Sequence, residues 1–275
     1  MLDRKCFVRY MIFVRISHKW IVAMANERDL MSGLAKGLRV LEAFRVEQPR
    51  LSISQAADAA DLDRATTRRC LLTLAELGYA AYDGKYFTVT PKVLRLGTGC
   101  LATMPLPRIV QPVLDKLSEA IGQSTSVSIL DETEIVYVAR AAQRSVVSIS
   151  LMPGSRLPAY CTSMGRVLLA ALDREEQRAV LEKSDRRART ALTLIEIEAL
   201  MEELVATRQR GYALIDQEVE LGLRSIAVPV NNVRGQTVAA LNVGLSASAA
   251  SMEDLVERYL PALLSVQSEL ARMLA

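Results

Sequence analysis

The sequence predicts an α+β fold in two parts, because three patterns follow one another along its 275 residues. Residues 52–90 carry two short helical periods, a tight turn between them and then a hairpin signal. A helix-like stretch follows and is broken at Met104-Pro105-Leu106-Pro107. From there to the C-terminus, helices mix with mostly antiparallel strand runs. The length and a hydrophobic content of 51% suffice for two modest cores.

In the first pattern, Ser52 and Gln55 have the reciprocal capping-box spacing, and Ile53, Ala56, Ala57 and Ala60 give that helix an apolar stripe. Asp61-Leu62-Asp63 reads as the turn. Asp63 can cap a second, longer helix in which Thr67, Cys70, Leu71, Leu74 and Leu77 fall on the core side and Gly78 ends the run. The opposite face carries Arg64, Ala65, Thr66, Arg68 and Arg69. Small residues let such a helix approach base edges, and arginines reach guanine or phosphate. Ala80-Ala81-Tyr82 and Tyr86-Phe87-Thr88-Val89 flank Asp83-Gly84-Lys85, a D-G hairpin that holds Lys85 at its tip near a phosphate backbone. The order is that of a winged helix-turn-helix, placed at 33–91 and pointing to DNA. The plainer reading is a helical hairpin whose arginines form a solvated face.

Charge divides the chain the same way. Leu34–Arg95 holds ten basic and seven acidic residues, whereas the chain from Leu96 onward holds 18 basic and 21 acidic. A mildly basic front on a mildly acidic back suits a nucleic-acid module joined to something else. Residues 1–30 are expected to be an extension, upstream of a start at Met24 or Met31. Arg4, Lys5, Arg9, Arg15 and Lys19 interrupt its apolar residues, which excludes a membrane span and fits a signal peptide poorly; an interfacial amphipathic helix is the sharper alternative.

The four cysteines, Cys6, Cys70, Cys100 and Cys161, form no CxxC pair, so neither disulfides nor zinc is expected and a reducing cytoplasm fits best. The sole histidine is His18. Histidine-based catalytic dyads and histidine-rich metal sites are thereby excluded from the body of the chain, and neither a metal nor another cofactor is expected.

Past the wing, 91–101 reads as a linking helix, with the linker taken as 92–105 and the second domain as 106–275. Arg108–Ile121 is an amphipathic helix; 125–130 and 135–142 are strands around the turn at 131–134, and 145–152 is a further strand-like run. Residues 165–172, 174–182 and 195–211 read as helices, and 212–216, 225–230 and 237–245 as strands. A final helix from Met252 to about Leu274 has Ser251 as its cap and an interruption at Pro261.

The chain resembles the isocitrate lyase regulator (IclR) family of bacterial transcription factors from about Gly33 onward. The resemblance rests on KGLRVLEAF at 36–44, the helix-turn-helix, LPAYCTSMGRVLLAAL at 157–172 and RGYALIDQEVELGLRSIAVPVNNVRGQTVAALNVGLSAS at 210–248. The wording around 159–166 and 222–229 is most similar to the subgroup controlling protocatechuate, 4-hydroxybenzoate and β-ketoadipate catabolism. The resemblance implies a homodimer, often a dimer of dimers, that binds promoter DNA and responds to a small organic acid held in a C-terminal GAF-like domain.

The family's pocket pattern falls on Ser163 and Met164, Asp216, Ser225, Asn242 and Gly244, the last two replacing serines found in some members. The loop at 161–165 feeds a helix whose free N–H groups could receive a carboxylate. Each position has a plainer reading: Ser163 as a helix cap, Asp216 and Glu218 as solvated loop acids, Asn242 as a strand residue satisfied by backbone. Arg156 and Arg224 could neutralise an anion, or be solvated or paired. Competing functions are a regulator of another small-acid pathway, an enzyme acting on a small acid, and a protein-docking module.

Overall fold

The computed structural model of the protein describes residues 30–45, 48–143 and 151–274. Expectations about residues 1–29, and about 145–150 of the strand-like run, lie outside the described residues. The described chain forms two compact units that part between Thr103 and Met104.

The smaller unit contains α1 (Ser32–Glu42), β1 (Arg50–Leu51), α2 (Ile53–Ala60), α3 (Arg64–Glu76), β2 (Ala80–Tyr82) and β3 (Phe87–Val89). The Ser52–Gln55 capping box starts α2, and Asp61 ends it in the left-handed region at φ 49°. The Asp63 carboxylate accepts from the Thr66 N–H at 2.8 Å and starts α3. Beyond α3, Gly78 at φ +76° lets Tyr79 N–H reach the Leu74 carbonyl and Gly78 N–H the Ala75 carbonyl, a Schellman ending. That ending corrects one expectation. Leu77 lies past the last helical turn and is 53% exposed, whereas Thr67 and Leu71 are buried. The hairpin turn is held by Asp83 Oδ1, which accepts from the N–H groups of Lys85 and Tyr86, with Gly84 at φ +100°. β1 adds a third strand, in the order β1-β3-β2. The core of Val40, Leu51, Ala56, Ala60, Leu71 and Phe87 lies under the helices and this sheet. A 3-10 turn (Pro91–Val93) and α4 (Leu94–Thr103) close the unit where the linking helix was expected.

The larger unit begins with α5 (Pro105–Ile121), in which Leu106, Val110, Val113, Leu114 and Leu117 make one buried stripe. There follow β4 (Ser124–Asp131), β5 (Glu134–Ala141), β6 (Arg156–Pro158), α6 (Ser163–Ala170), α7 (Arg174–Lys183), α8 (Ile197–Arg210), β7 (Ala213–Asp216), β8 (Leu223–Asn231) and β9 (Thr237–Ser246). The C-terminal segment contains α9 (Met252–Asp254), a π-helical turn (Leu255–Tyr259) and α10 (Leu260–Met273). The interruption expected at Pro261 takes the form of that π turn, as a proline deprives the preceding turn of a normal bond.

The six strands form one antiparallel sheet in the order β6-β5-β4-β9-β8-β7. The edge strand β6 was not foreseen; it has only three residues, too few for a period to show. Alternation gives the sheet two different faces. Val127, Ile226, Val228, Leu241 and Val243 pack with α5 and the C-terminal helix. The other face meets α6 and α8 through Tyr137, Ala227, Ala240, Met164, Val167 and Leu204. On it the central strands carry Ser124, Ser126, Ser128, Ser225, Asn242 and Gly244. Residues this small leave the start of α6 standing over open space.

Candidate ligand cavity and DNA-contact face

The backbone between β6 and α6 is held by close contacts. Thr162 caps α6, its hydroxyl accepting from the Gly165 N–H at 3.2 Å. A Cβ on Gly165 would stand 2.1 Å from the Ala159 carbonyl oxygen, so only glycine fits there. The next residue, Arg166, is buried. Its Nη2 donates to Glu218 Oε2 at 2.6 Å and its Nε to the Tyr160 carbonyl, while the Leu194 N–H also donates to Glu218. Burial pushes the Glu218 carboxyl above the usual range, and Arg166 pulls the other way. Glu218 is therefore a buried tie between α6 and the loop after β7 rather than a solvated loop acid.

A cavity of about 80 Å³ opens under this helix start, so its occupant is small. Ser163, Met164, Ser225, Asn242 and Gly244 all line it. Ser225 donates to Ser163 at 2.9 Å, and Ser128 to the Met164 sulfur at 3.2 Å. Asn242 is only 9% exposed, and its Oδ1 has no hydrogen-bond partner. A Cβ on Gly244 would meet nothing within 4 Å. Leu151, Leu157, Val219 and Leu223 supply apolar wall.

Asp216 is the one expected pocket residue that does not line the cavity. Its Oδ1 accepts from Arg224 Nε at 2.7 Å, which holds the carboxyl below its ordinary range; Arg224 also donates to the Ala247 and Ala250 carbonyls. β7 and β8 pair Asp216 directly with Arg224, so the two side chains satisfy each other. Arg156 is likewise spoken for, reaching Asp131 at 2.8 Å and Glu134 at 2.7 Å.

Sequence reasoning passed over three cavity residues with chemistry to offer. Arg140 on β5 donates from Nη1 to Ser126 Oγ at 3.0 Å, and burial draws its pKa down. Burial holds the Tyr137 phenol near a pKa of about 12, a neutral donor. The Ser124 hydroxyl accepts from the Gln143 N–H. Strict alternation along β5 would set Tyr137 and Arg140 on opposite faces; the register shift against β4 at Val138 returns Arg140 to the cavity side, and no sequence period announces it. Cys161 does not line the cavity; it is buried, with its thiol pushed up to about 11, and is not a poised nucleophile.

Among the described residues, those lining the cavity include one guanidinium, that of Arg140, and no carboxylate. First-turn N–H groups, which lack intrahelical partners, add partial positive charge. Such a site favours a small anion. Among the described residues no group of three or more His, Cys, Asp or Glu is placed to hold a metal ion, and no helix is long and apolar enough to cross a membrane.

In the smaller unit, Arg64, Ala65, Arg68 and Arg69 are exposed on α3 and Thr66 is half-buried. Among the described residues none of these three guanidinium groups meets a carboxylate. Lys85 at the hairpin tip lies 5.1 Å from the Tyr86 ring centroid, and Arg50 approaches the same ring at 5.0 Å. Arg50 joins the wing because β1 pairs with β3, a partnership two residues long that leaves no periodic signal.

The IclR helix-turn-helix domain matches residues 33–84, and the C-terminal domain of the bacterial transcriptional regulator IclR matches 98–272. The Pca regulon regulatory protein of Pseudomonas putida is 42% identical over 257 residues, covering 93% of this chain and 88% of that protein. A transcriptional regulator from Rhodococcus sp. RHA1 is 44% identical in its crystal structure, with a TM-score of 0.74 over 89% of this chain and 98% of that one. The inducer-binding domain of a PobR double mutant from Acinetobacter, in complex with 3-hydroxybenzoic acid, is 38% identical, covers 61% of this chain and 98% of that one, and has a TM-score of 0.58. With a helix-turn-helix of this family at one end and its C-terminal domain over the rest, the chain belongs to the IclR family of DNA-binding bacterial transcriptional regulators.

Proposed function

We propose that this regulator controls genes of aromatic-acid catabolism from the cytoplasm, with protocatechuate, 4-hydroxybenzoate or β-ketoadipate as its effector class, and that it acts through binding and not through catalysis. The observation that carries the reading is the cavity at the start of α6. It is small, has apolar walls, is lined among the described residues by one cation and no carboxylate, and is bordered by buried polar groups. The Pseudomonas putida relative, named for the Pca regulon, and the Acinetobacter domain holding 3-hydroxybenzoic acid support the choice of acid.

In this reading a homodimer sets two copies of α3 in successive major grooves, with Arg64, Ala65, Thr66, Arg68 and Arg69 facing the bases and phosphates and Lys85 on the backbone beside them. Ser163, Met164, Ser225, Asn242 and Gly244 surround the acid. The acid changes transcription to the extent that it binds one arrangement of the two domains better than another.

The test is titration of the full-length protein onto labelled DNA from upstream of its own gene, at two salt concentrations, with and without each acid. Selective, salt-dependent binding that one acid alters is the expected result. Selective binding that responds only to a non-aromatic acid moves the protein to another small-acid pathway. Absence of selective DNA binding under all conditions overturns the proposal in favour of a docking module.

A further inference from the structure

We infer that Arg140 is the residue that binds the effector's carboxylate, and that Asn242 accepts a hydrogen bond from a hydroxyl on the same molecule. The ligand class is then a small acid bearing an O–H donor, lying across the row β5-β4-β9. The inference rests on the small-acid reading of the cavity and adds the ligand's orientation to it.

Strand register sets the row. Ser126 on β4 pairs with Arg140 on β5 at one side and with Asn242 on β9 at the other. The Arg140 side chain turns inward along this row, because Nη1 donates to the Ser126 hydroxyl at 3.0 Å. A guanidinium has five N–H donors in a planar fork that matches a carboxylate. Here a serine hydroxyl is its side-chain acceptor, and among the described residues no carboxylate comes within ion-pair distance of it. Arg156, Arg166, Arg178, Arg210 and Arg224 each reach an Asp or Glu within 3.1 Å, and Arg186 and Arg208, which do not, donate to backbone carbonyls instead. A half-buried guanidinium without a counter-ion is costly, and a bound carboxylate would relieve that cost.

At the other end of the row, Asn242 lines the cavity, is nine-tenths buried, and its Oδ1 has no hydrogen-bond donor. A buried carbonyl oxygen left unsatisfied costs free energy that a ligand O–H recovers on binding. Gly244, two residues along the same face, has no side chain to occupy the space between Ser124 and Ser225. Arg140 and Asn242 therefore line one space from two strands, the first an anion receptor and the second carrying an unsatisfied acceptor, and a hydroxybenzoate carries both matching groups. A keto diacid such as β-ketoadipate offers no hydroxyl donor once ionised.

The experiment is calorimetric titration of the full-length protein with 4-hydroxybenzoate, benzoate, 4-hydroxybenzamide, β-ketoadipate and adipate. It is done for the parent, Arg140→Gln, Arg140→Lys and Asn242→Val, with folding followed by circular dichroism. The parent is expected to prefer 4-hydroxybenzoate to both the amide and benzoate by about tenfold or more. Arg140→Gln should weaken 4-hydroxybenzoate by about tenfold to a hundredfold while leaving the amide nearly unchanged, and Arg140→Lys should recover part of the loss. Asn242→Val should abolish the preference over benzoate. If Arg140→Gln fails to fold, the parent's preference for acid over amide and the Arg140→Lys titration decide the matter. Parent and Arg140→Gln binding the acid within about twofold of each other would overturn the assignment and leave the aromatic-acid reading standing. Binding of only the aliphatic diacids, lost in Arg140→Gln, would keep Arg140 as carboxylate receptor and sink both the aromatic reading and the Asn242 role. No binding of any acid by the parent overturns both readings.

Discussion

The Ser225 hydroxyl donates to the Ser163 hydroxyl at 2.9 Å, joining β8 to the first turn of α6 across 62 residues of sequence. Both groups are buried and both line the cavity, so this bond sets how far the helix start stands from the sheet. Ser225→Ala removes the donor and leaves Ser163 inside without it. The expected cost is about 0.5–1.5 kcal/mol, read from the urea transition of the larger unit. Ser163→Ala combined with Ser225→Ala should cost less than the sum of the single changes, since either one already breaks the pair. Strict additivity would show that the two hydroxyls do not support each other.

Gly165→Ala tests how tightly α6 is seated. The added methyl would fall against the Ala159 carbonyl and Cα, which are backbone atoms that cannot swing aside, and against the Thr162 hydroxyl that caps the helix. Stability should drop toward the upper end of about 1–3 kcal/mol, with weaker effector binding because the helix start must shift. Alanine at Gly97, where a Cβ meets nothing within 4 Å, serves as the control and should have no such effect. Equal stability of Gly165→Ala and the parent would mean that the helix start is looser than this packing requires.

Much of this architecture can be read from the sequence because local chemistry decides it. The Ser52–Gln55 box, the Asp63 cap, the Gly78 ending and the Asp83-Gly84 turn each act within five residues, and each is where the pattern puts it. Five of the six expected cavity residues converge, two at the start of α6 and three on strands whose alternation is plain. What the sequence hides is which strands are neighbours. Arg140 enters the cavity because β4 lies between β5 and β9, and Asp216 leaves it because β7 faces Arg224 on β8. The β4–β9 pairing joins residues far apart along the chain, and even the short β7–β8 hairpin leaves the partner of Asp216 unmarked by any period. Glu218 is a similar case, since its burial depends on Arg166, 52 residues away.

The Asp216–Arg224 pair gives a pH signature. Hydrogen bonding to Arg224 lowers the Asp216 pKa below its ordinary 3.8, so the folded protein holds this proton less tightly than the unfolded chain. The pair therefore contributes stability at pH values above 3.8, and that contribution is lost as the pH falls through the depressed folded value. Asp216→Asn should lower stability at neutral pH, and the gap from the parent should close on acidification below 3.8 in a series of urea transitions. Effector affinity near neutral pH should stay close to the parent's, because the carboxylate does not line the cavity. A large loss of effector affinity with unchanged stability would return Asp216 to the binding site.

On the DNA face the two kinds of contact are separable. Arg68 stands exposed near the middle of the outer face of α3, whereas Lys85 stands at the hairpin tip beside Tyr86. Arg68→Ala should weaken operator binding by about 1–3 kcal/mol and relax the preference at one base position, as expected for a side chain that reads a base edge. Lys85→Ala should weaken binding to all sequences alike and reduce the slope of log affinity against log salt by about one, as expected for a phosphate contact. Titrations of operator and scrambled DNA at several salt concentrations distinguish the two, because a phosphate contact changes the slope and a base contact changes the selectivity. If Arg68→Ala altered only the salt slope, α3 would be held by the backbone and sequence would be read by its neighbours Arg64 and Arg69. If it altered neither quantity, Arg68 would not belong to the reading face.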